Sequence, residues 1–356
     1  MRPARHSHRA GLLALLLVAG CNTTTSQLAS RPLVPPTPTG TAPPIWGFLP
    51  IGPWDVGLRV LPVPPGPDAA DAHPVQLTVW YPSRTAAFEP HLRYRDYVGL
   101  SGSEQRPEAW NDAALCAAAA TGYHRLLTEE LKLPEQAVSA WLDAEVSAVR
   151  EATPAPGRFP LVLIAQGRFH SAHHQALLAE DLASHGYVVA TTPFPKHLAP
   201  PSPDEDVLAT ARGQARELAR ALAVMEKDPG VEASRVALVG HSFGARAAFL
   251  FALERPETSA LVSLDGGIAN RMGREWLDGL SGFRPEDFHT PLLHLYQEGD
   301  AAVVPDFDLV QSLRGADRWL VRVAGMRHLD FTSVGAATTV AHGLAPTGAE
   351  GAAARG

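Results

Sequence analysis

Six nearly continuous apolar runs, Leu161–Ala165, Tyr187–Thr191, Val236–Val239, Ala260–Leu264, Leu292–Tyr296 and Trp319–Val323, are separated by stretches with apolar residues at helical spacing. Such runs have no polar face to offer water, which suits strands covered on both sides by helices. The clearest helical stretch opens on the capping box Ser202-Pro203-Asp204-Glu205, with Pro at the first helical position, where its missing N–H costs nothing. Apolar residues then recur at Val207, Leu208, Ala211, Ala215, Leu218, Leu222 and Met225 until Asp228-Pro229-Gly230 stops the helix. A second helix is expected from about Ala172 to His185, closed by Gly186 as a C′ glycine. Strand–helix alternation at this rhythm predicts a mostly parallel, doubly wound α/β sheet. Val56–Leu61 and Val75–Tyr81 read as an opening antiparallel pair, and residues 94–150 as a mostly helical insertion that includes Glu135–Arg150.

Composition narrows the function. The 356 residues carry 30 Lys+Arg against 37 Asp+Glu, a net charge of −7, so no basic surplus exists to hold a nucleic-acid backbone. Two cysteines are too few for a metal cluster or a disulfide-stapled scaffold. Of 32 prolines, twelve fall between Pro32 and Pro67, so the excess marks a segment. From Asn22 to about Pro53 the chain is Thr, Ser, Pro and small residues, which cannot bury a core and favour extended conformations. The Gly/Ala-rich stretch Ala341–Gly356 is expected to fray.

The N-terminus reads as an address. Arg2, Arg5 and Arg9 precede the apolar run Leu12–Ala19, and no acidic residue occurs before Asp55. A basic n-region and an apolar stretch too short to span a bilayer indicate a secretory signal. The run ends Leu17-Val18-Ala19-Gly20-Cys21, which resembles the lipobox of bacterial lipoproteins. That resemblance implies cleavage after residue 20, lipid on Cys21, and residues 21–53 as a tether between membrane and domain. Residue 22 is Asn, not the Asp that commonly retains Gram-negative lipoproteins at the inner membrane, which implies the outer membrane in such an envelope. Losing Arg2, Arg5 and Arg9 takes the basic count from 30 to 27 and the charge to −10. Cys116 is then the one thiol left, read as a small buried hydrophobe.

The chemistry concentrates at Gly240-His241-Ser242-Phe243-Gly244, a G-x-S-x-G sequence between a strand ending at Val239 and the apolar helix Ala245–Leu253. Strand–turn–helix is the setting a nucleophile elbow requires, with glycines where a Cβ would obstruct the turn. A serine hydroxyl is a weak nucleophile and needs a base oriented by a carboxylate, here in the chain order Ser, Asp/Glu, His. His328, in the loop after the last strand, is the candidate base. His342 lies in the tail, His289 and His294 precede or sit within a strand, and His241 reads as a packing residue. Two carboxylates qualify as the acid. Asp265 ends a strand in Leu264-Asp265-Gly266-Gly267, whereas Asp300 lies in the looser turn Glu298-Gly299-Asp300; the tighter setting favours Asp265. An oxyanion hole is expected from the backbone N–H groups of Phe243 and of Arg168, in Gln166-Gly167-Arg168-Phe169. His170, His173 and His174 read as a loop-to-helix surface and not as a metal site, and no cofactor is implied.

These residues resemble the α/β-hydrolase superfamily, and within it the platelet-activating-factor acetylhydrolase and dienelactone-hydrolase-like esterases. The narrower likeness rests on Val79-Trp80-Tyr81-Pro82, on Leu182–Val189, on Asp265 after the strand following the elbow, and on His328 with Phe331 behind it. It implies an α/β-hydrolase fold over about Asp55–Val334, with the acid after the sixth strand, hence Asp265. The oxyanion loop departs from the usual His-Gly by reading Gln166-Gly167. The expected activity is hydrolysis of a small-molecule or lipid ester through an acyl-enzyme. A thioesterase or acyltransferase of the same fold, and a non-catalytic envelope lipoprotein, are the alternatives. A prolyl-oligopeptidase-type protease would need a large extra domain for which this length leaves no space.

Overall fold

The computed structural model describes residues 44–46, 50–67, 72–84, 89–195, 206–271, 280–301 and 303–342. The signal segment 1–20, Cys21, most of the tether, the Ser202–Glu205 capping box and residues 343–356 lie outside these. No helix among the described residues is long and apolar enough to cross a membrane.

Chain order runs β1 (Asp55–Val63), β2 (Val75–Ser83), β3 (His91–Arg93), α1 (Tyr94–Leu100), α2 (Ala113–Arg125), α3 (Glu135–Asp143), β4 (Glu145–Arg150) and β5 (Phe159–Ala165). It continues with α4 (Ala176–Ser184), β6 (Val188–Thr192), α5 (Val207–Met225), β7 (Val231–His241), α6 (Gly244–Glu254), β8 (Ala260–Leu264) and β9 (Leu292–Tyr296). The last elements are α7 (Asp308–Ser312), β10 (Arg318–Arg322) and α8 (Ser333–Ala341). The described strands form one sheet ordered β10-β9-β8-β7-β5-β6-β2-β1-β4-β3. From β6 to β10 every pairing is parallel, while β2 joins both β1 and β6 antiparallel. This is the mostly parallel α/β-hydrolase sheet, opened by the antiparallel pair that the sequence suggests.

Alternation along the strands divides the core. On β5, Leu161, Leu163 and Ala165 join the cluster built by α5 and α6, while Val162 and Ile164 are buried toward the opposite face. There α4, α8, α3 and α1 pack together. Helix α5 buries Ala211, Ala215, Leu218, Leu222 and Met225, the positions its period of 3.6 aligns. Its N-cap is Asp206, whose carboxylate accepts from Ala209 N–H at 2.9 Å. After α4, Gly186 has a φ of +93°, which suits the C′ glycine expected there.

Three expectations are corrected. The helix expected over Glu135–Arg150 stops at Asp143, and Glu145–Arg150 is a strand between β1 and β3. Val146 and Ala148 are fully buried there, so pairing with β1 overrides the local helical pattern. The last apolar run is not covered on both faces. All five residues of β10 are exposed because β10 is the sheet's edge, paired with β9 alone among the described residues. Cys116 is half-buried rather than buried, its Sγ 3.6 Å from Trp110 O.

Candidate active site

Parallel strands deliver their loops to one edge of the sheet, and the five that follow β5, β7, β8, β9 and β10 converge. β7 ends at His241, and α6 starts at Gly244. The reversal between them holds Ser242 at φ +52°, a left-handed conformation that costs a non-glycine residue roughly 1–2 kcal/mol. The strain is held from several sides. Ser242 N–H donates to Leu264 O at 3.1 Å, and Gly267 N–H donates to Ser242 O at 2.7 Å. Glycine is required on both sides of the turn. A Cβ on Gly240 would lie 2.5 Å from Ala245 Cα, and one on Gly244 would strike the Ala165 carbonyl. Because α6 begins just past Phe243, the positive end of its dipole lies at the serine.

Asp265 follows β8 with φ +44°, its N–H bonded to Leu295 O at 2.7 Å. His328 opens the 3-10 turn His328–Phe331 after β10. The structure brings Ser242, His328 and Asp265 into one hydrogen-bonded line. His328 Nδ1–H donates to Asp265 Oδ2 at 2.6 Å, and Ser242 Oγ–H donates to His328 Nε2 at 2.9 Å. The tautomer follows from the acceptor: a carboxylate can only accept, so Nδ1 carries the proton and Nε2 keeps its lone pair. Asp265 is 3% exposed against 17% for His328, so the carboxylate is sheltered while the imidazole reaches the surface.

Asp300 enters differently. Its N–H donates to Gln297 Oε1 at 2.7 Å, and Gln297 Nε2–H donates to Asp265 Oδ2 at 3.1 Å. The two candidate acids thus meet through a buried glutamine that sequence reasoning missed. The signal was its place, the first residue beyond β9 on the loop-bearing edge.

Arg168 and Phe243, the expected oxyanion donors, are neighbours: the Arg168 guanidinium lies 4.6 Å from the Phe243 ring centroid. The loop that carries Arg168 turns at Gly167–His170, closed by His170 N–H to Gly167 O at 3.0 Å, with Phe169 at φ +62°. Gln166 is fully buried and donates to Thr191 Oγ1 at 3.0 Å, so the departure from His-Gly is absorbed beneath the loop.

The reading of His170, His173 and His174 as a surface is corrected. His173 and His174 are buried, His170 is half-buried, and their rings stack: His170 lies 3.9 Å from His174 and 5.2 Å from His241. His241 is fully buried 4.8 Å from the His328 ring, so it packs as expected, yet it also makes a polar contact with the His328 carbonyl. Burial, with His170 and His328 close by, holds its pKa well below the ordinary imidazole value. His170 is depressed likewise, first by burial and then by His174 and His328.

Among known proteins, the chain matches the chlorophyllase family over residues 138–286, which takes in Ser242 and Asp265 and ends before His328. A ferulic acid esterase from Streptomyces cinnamoneus has a similar structure. It is 21% identical with a TM-score of 0.50, over 81% of this chain and 77% of that one. A protein assigned as a dienelactone hydrolase from Klebsiella pneumoniae subsp. pneumoniae is 15% identical with a TM-score of 0.44, over 77% of this chain and 88% of that one. No curated protein sequence matches the chain. Fold and sheet order define the class of architecture: the chain has the α/β-hydrolase fold.

Proposed function

We propose that the protein is a serine carboxylic-ester hydrolase acting on a small-molecule or lipid-derived acyl ester. The observation that carries this reading is the unbroken line from Ser242 Oγ through His328 to the sheltered Asp265, mounted on a strained elbow. The family match across the elbow and Asp265 supports it.

In this reading Ser242 Oγ attacks the ester carbonyl as His328 Nε2 takes its proton. Asp265 stabilises the imidazolium through Nδ1–H and holds the ring in one tautomer. The tetrahedral oxyanion is met by the N–H groups of Phe243 and Arg168, aided by the α6 dipole. Collapse breaks the ester C–O bond, and His328 returns its proton to the leaving alcohol. Water then attacks the acyl-Ser242 ester by the same proton route, releasing the acid and restoring the serine. No step needs a metal or cofactor.

A fluorophosphonate probe and a series of p-nitrophenyl esters of increasing acyl length test this. The wild type is expected to be labelled and to hydrolyse the shorter esters, and Ser242→Ala to do neither while remaining folded. Labelling or turnover retained in Ser242→Ala would overturn the assignment, and an unlabelled, inactive wild type would leave a binding protein in a hydrolase fold.

We also propose that lipid on Cys21 holds this domain at a bacterial envelope, at the outer membrane if the cell is Gram-negative. Support comes from the sequence Leu17–Cys21 and from Asn22. Multiple acyl chains anchor stably because each buried CH₂ contributes about 0.8 kcal/mol. Cys21→Ser is expected to leave the membrane fraction or remain an uncleaved precursor; a processed, membrane-bound Cys21→Ser protein would refute the anchor and leave the hydrolase reading intact.

A further inference from the structure

We propose that His241, the residue before the nucleophile, is a positioning residue for the base: its Nε2–H holds the backbone carbonyl of His328 and so sets where the catalytic imidazole stands. This rests on the serine-hydrolase reading above. The distance from His241 Nε2 to His328 O is 3.2 Å. A carbonyl only accepts, so the contact requires the proton on Nε2 and leaves Nδ1 as a bare lone pair.

The surroundings favour that one state. His241 is fully buried, and its Nδ1 finds no hydrogen-bond partner among the described residues. Nδ1 faces Gly167, where a Cβ would stand 2.8 Å away. A proton on Nδ1 would therefore meet no acceptor. A second positive charge would also lie beside the His328 imidazolium formed during turnover. The titratable groups that face His241 are His170 from the oxyanion loop, His328 itself, and Asp265 after β8. His170 lies parallel to it at 8° between rings and is also held neutral, so it adds bulk without charge.

The base loop is gripped at both ends by buried donors. Besides His241 at the His328 carbonyl, Gln175 Nε2–H donates to Phe331 O at 3.1 Å, closing the other end of the turn. His241 is the one next to the chemistry, and it belongs to the same pentapeptide as the nucleophile. The elbow thus carries both the serine and the donor that registers the histidine against it, so any shift of one moves the other.

The test compares His241→Leu with His241→Gln, whose side-chain amide can offer a donor near the Nε2 position. His241→Leu keeps an apolar filling of the space and is expected to lower kcat about tenfold or more with KM within about twofold, since a lost hydrogen bond of about 1.4 kcal/mol is a factor of ten. His241→Gln should recover kcat to within about threefold of wild type. Equal kcat in the leucine variant, or a glutamine variant no better than leucine, would overturn the proposal. If neither variant folds, ¹⁵N imidazole spectra of the wild type decide it: a neutral Nε2–H ring for His241 at pH 7 supports the role, and an Nδ1–H or doubly protonated ring refutes it. Turnover retained in Ser242→Ala would instead bring down the hydrolase reading. An inactive Ser242→Ala beside a fully active His241→Leu would bring down only the role of His241.

Discussion

Gln297 Nε2 donates to the same oxygen of Asp265 that accepts from His328 Nδ1, at 3.1 Å and 2.6 Å respectively. One carboxylate oxygen thus accepts from both the His328 imidazole and a fixed amide, while the other lies 3.4 Å from the Gln297 backbone nitrogen. Gln297 orients Asp265 as Asp265 orients His328. Gln297→Leu removes the amide donor and leaves a buried carboxylate less satisfied, which costs about 1.5–3 kcal/mol for a hydrogen bond to a charged group. We expect kcat on p-nitrophenyl acetate to fall roughly tenfold with KM little changed; unchanged kcat would mean that Asp265 is held without it.

The ranking of the two acids is directly testable. Asp265→Asn should lower kcat by orders of magnitude, because an amide cannot stabilise the imidazolium and favours the wrong tautomer. Asp300→Asn leaves its backbone bond to Gln297 in place and should be mild. Side-by-side kcat measurements decide, and a reversed order would transfer the acid's role to Asp300.

Stability should weaken on mild acidification. His294, bonded to Ser263 Oγ at 2.9 Å, has its pKa lowered by burial from 6.5 to about 4, and His170 and His241 are lowered too. The unfolded chain binds protons at these sites near pH 6.5 while the folded chain refuses them. Their contribution is therefore present above pH 6.5 and lost as pH falls toward the folded values. For His294 alone the full loss is about 3 kcal/mol, at 1.36 kcal/mol per pKa unit. Glu180 and Asp181, whose pKa values burial raises, work in the opposite sense as two groups against three. Urea unfolding at pH 7.5 and 5.0 should show lower stability at pH 5.0, with a smaller difference in His294→Gln; equal stabilities would refute the argument.

Glu180 is a buried fastener. Its carboxylate accepts from Trp46 Nε1 at 2.8 Å, Ser147 N at 3.3 Å and Ala148 N at 3.1 Å, and from the Tyr97 hydroxyl. It thereby ties the segment Pro44–Trp46, α1 and β4 to α4. Glu180→Ala would strand these donors together, so a loss of about 3–5 kcal/mol is expected in chemical denaturation, with Trp46 fluorescence shifting toward that of an exposed indole. A loss under about 1 kcal/mol would show that water or rearrangement satisfies the donors.

By itself the sequence determined what local physics can encode. Apolar runs between amphipathic stretches required a helix-covered, mostly parallel sheet, and glycines around Ser242 admitted the strained turn because no other residue fits the backbone contacts at Gly240 and Gly244. The order Ser242, Asp265, His328 was legible for the same reason, since each follows the end of a recognisable strand. Other features depended on which strands become neighbours. Adjacency of β8 and β9 put Gln297 on Asp265 and left Asp300 one amide away, and pairing of β10 with β9 brought His328 to the same carboxylate. Pairing with β1 turned Glu145–Arg150 from helix to strand, and the edge position left Trp319–Val321 in water although their apolar run matches the buried ones. The histidines read as surface were drawn wholly or partly inward by contacts across long sequence separations, such as Tyr123 against His173 and His170 against His241. Periodicity and turn chemistry act within a few residues and can be read along the chain, whereas a partner dozens of residues away is chosen only when the sheet assembles.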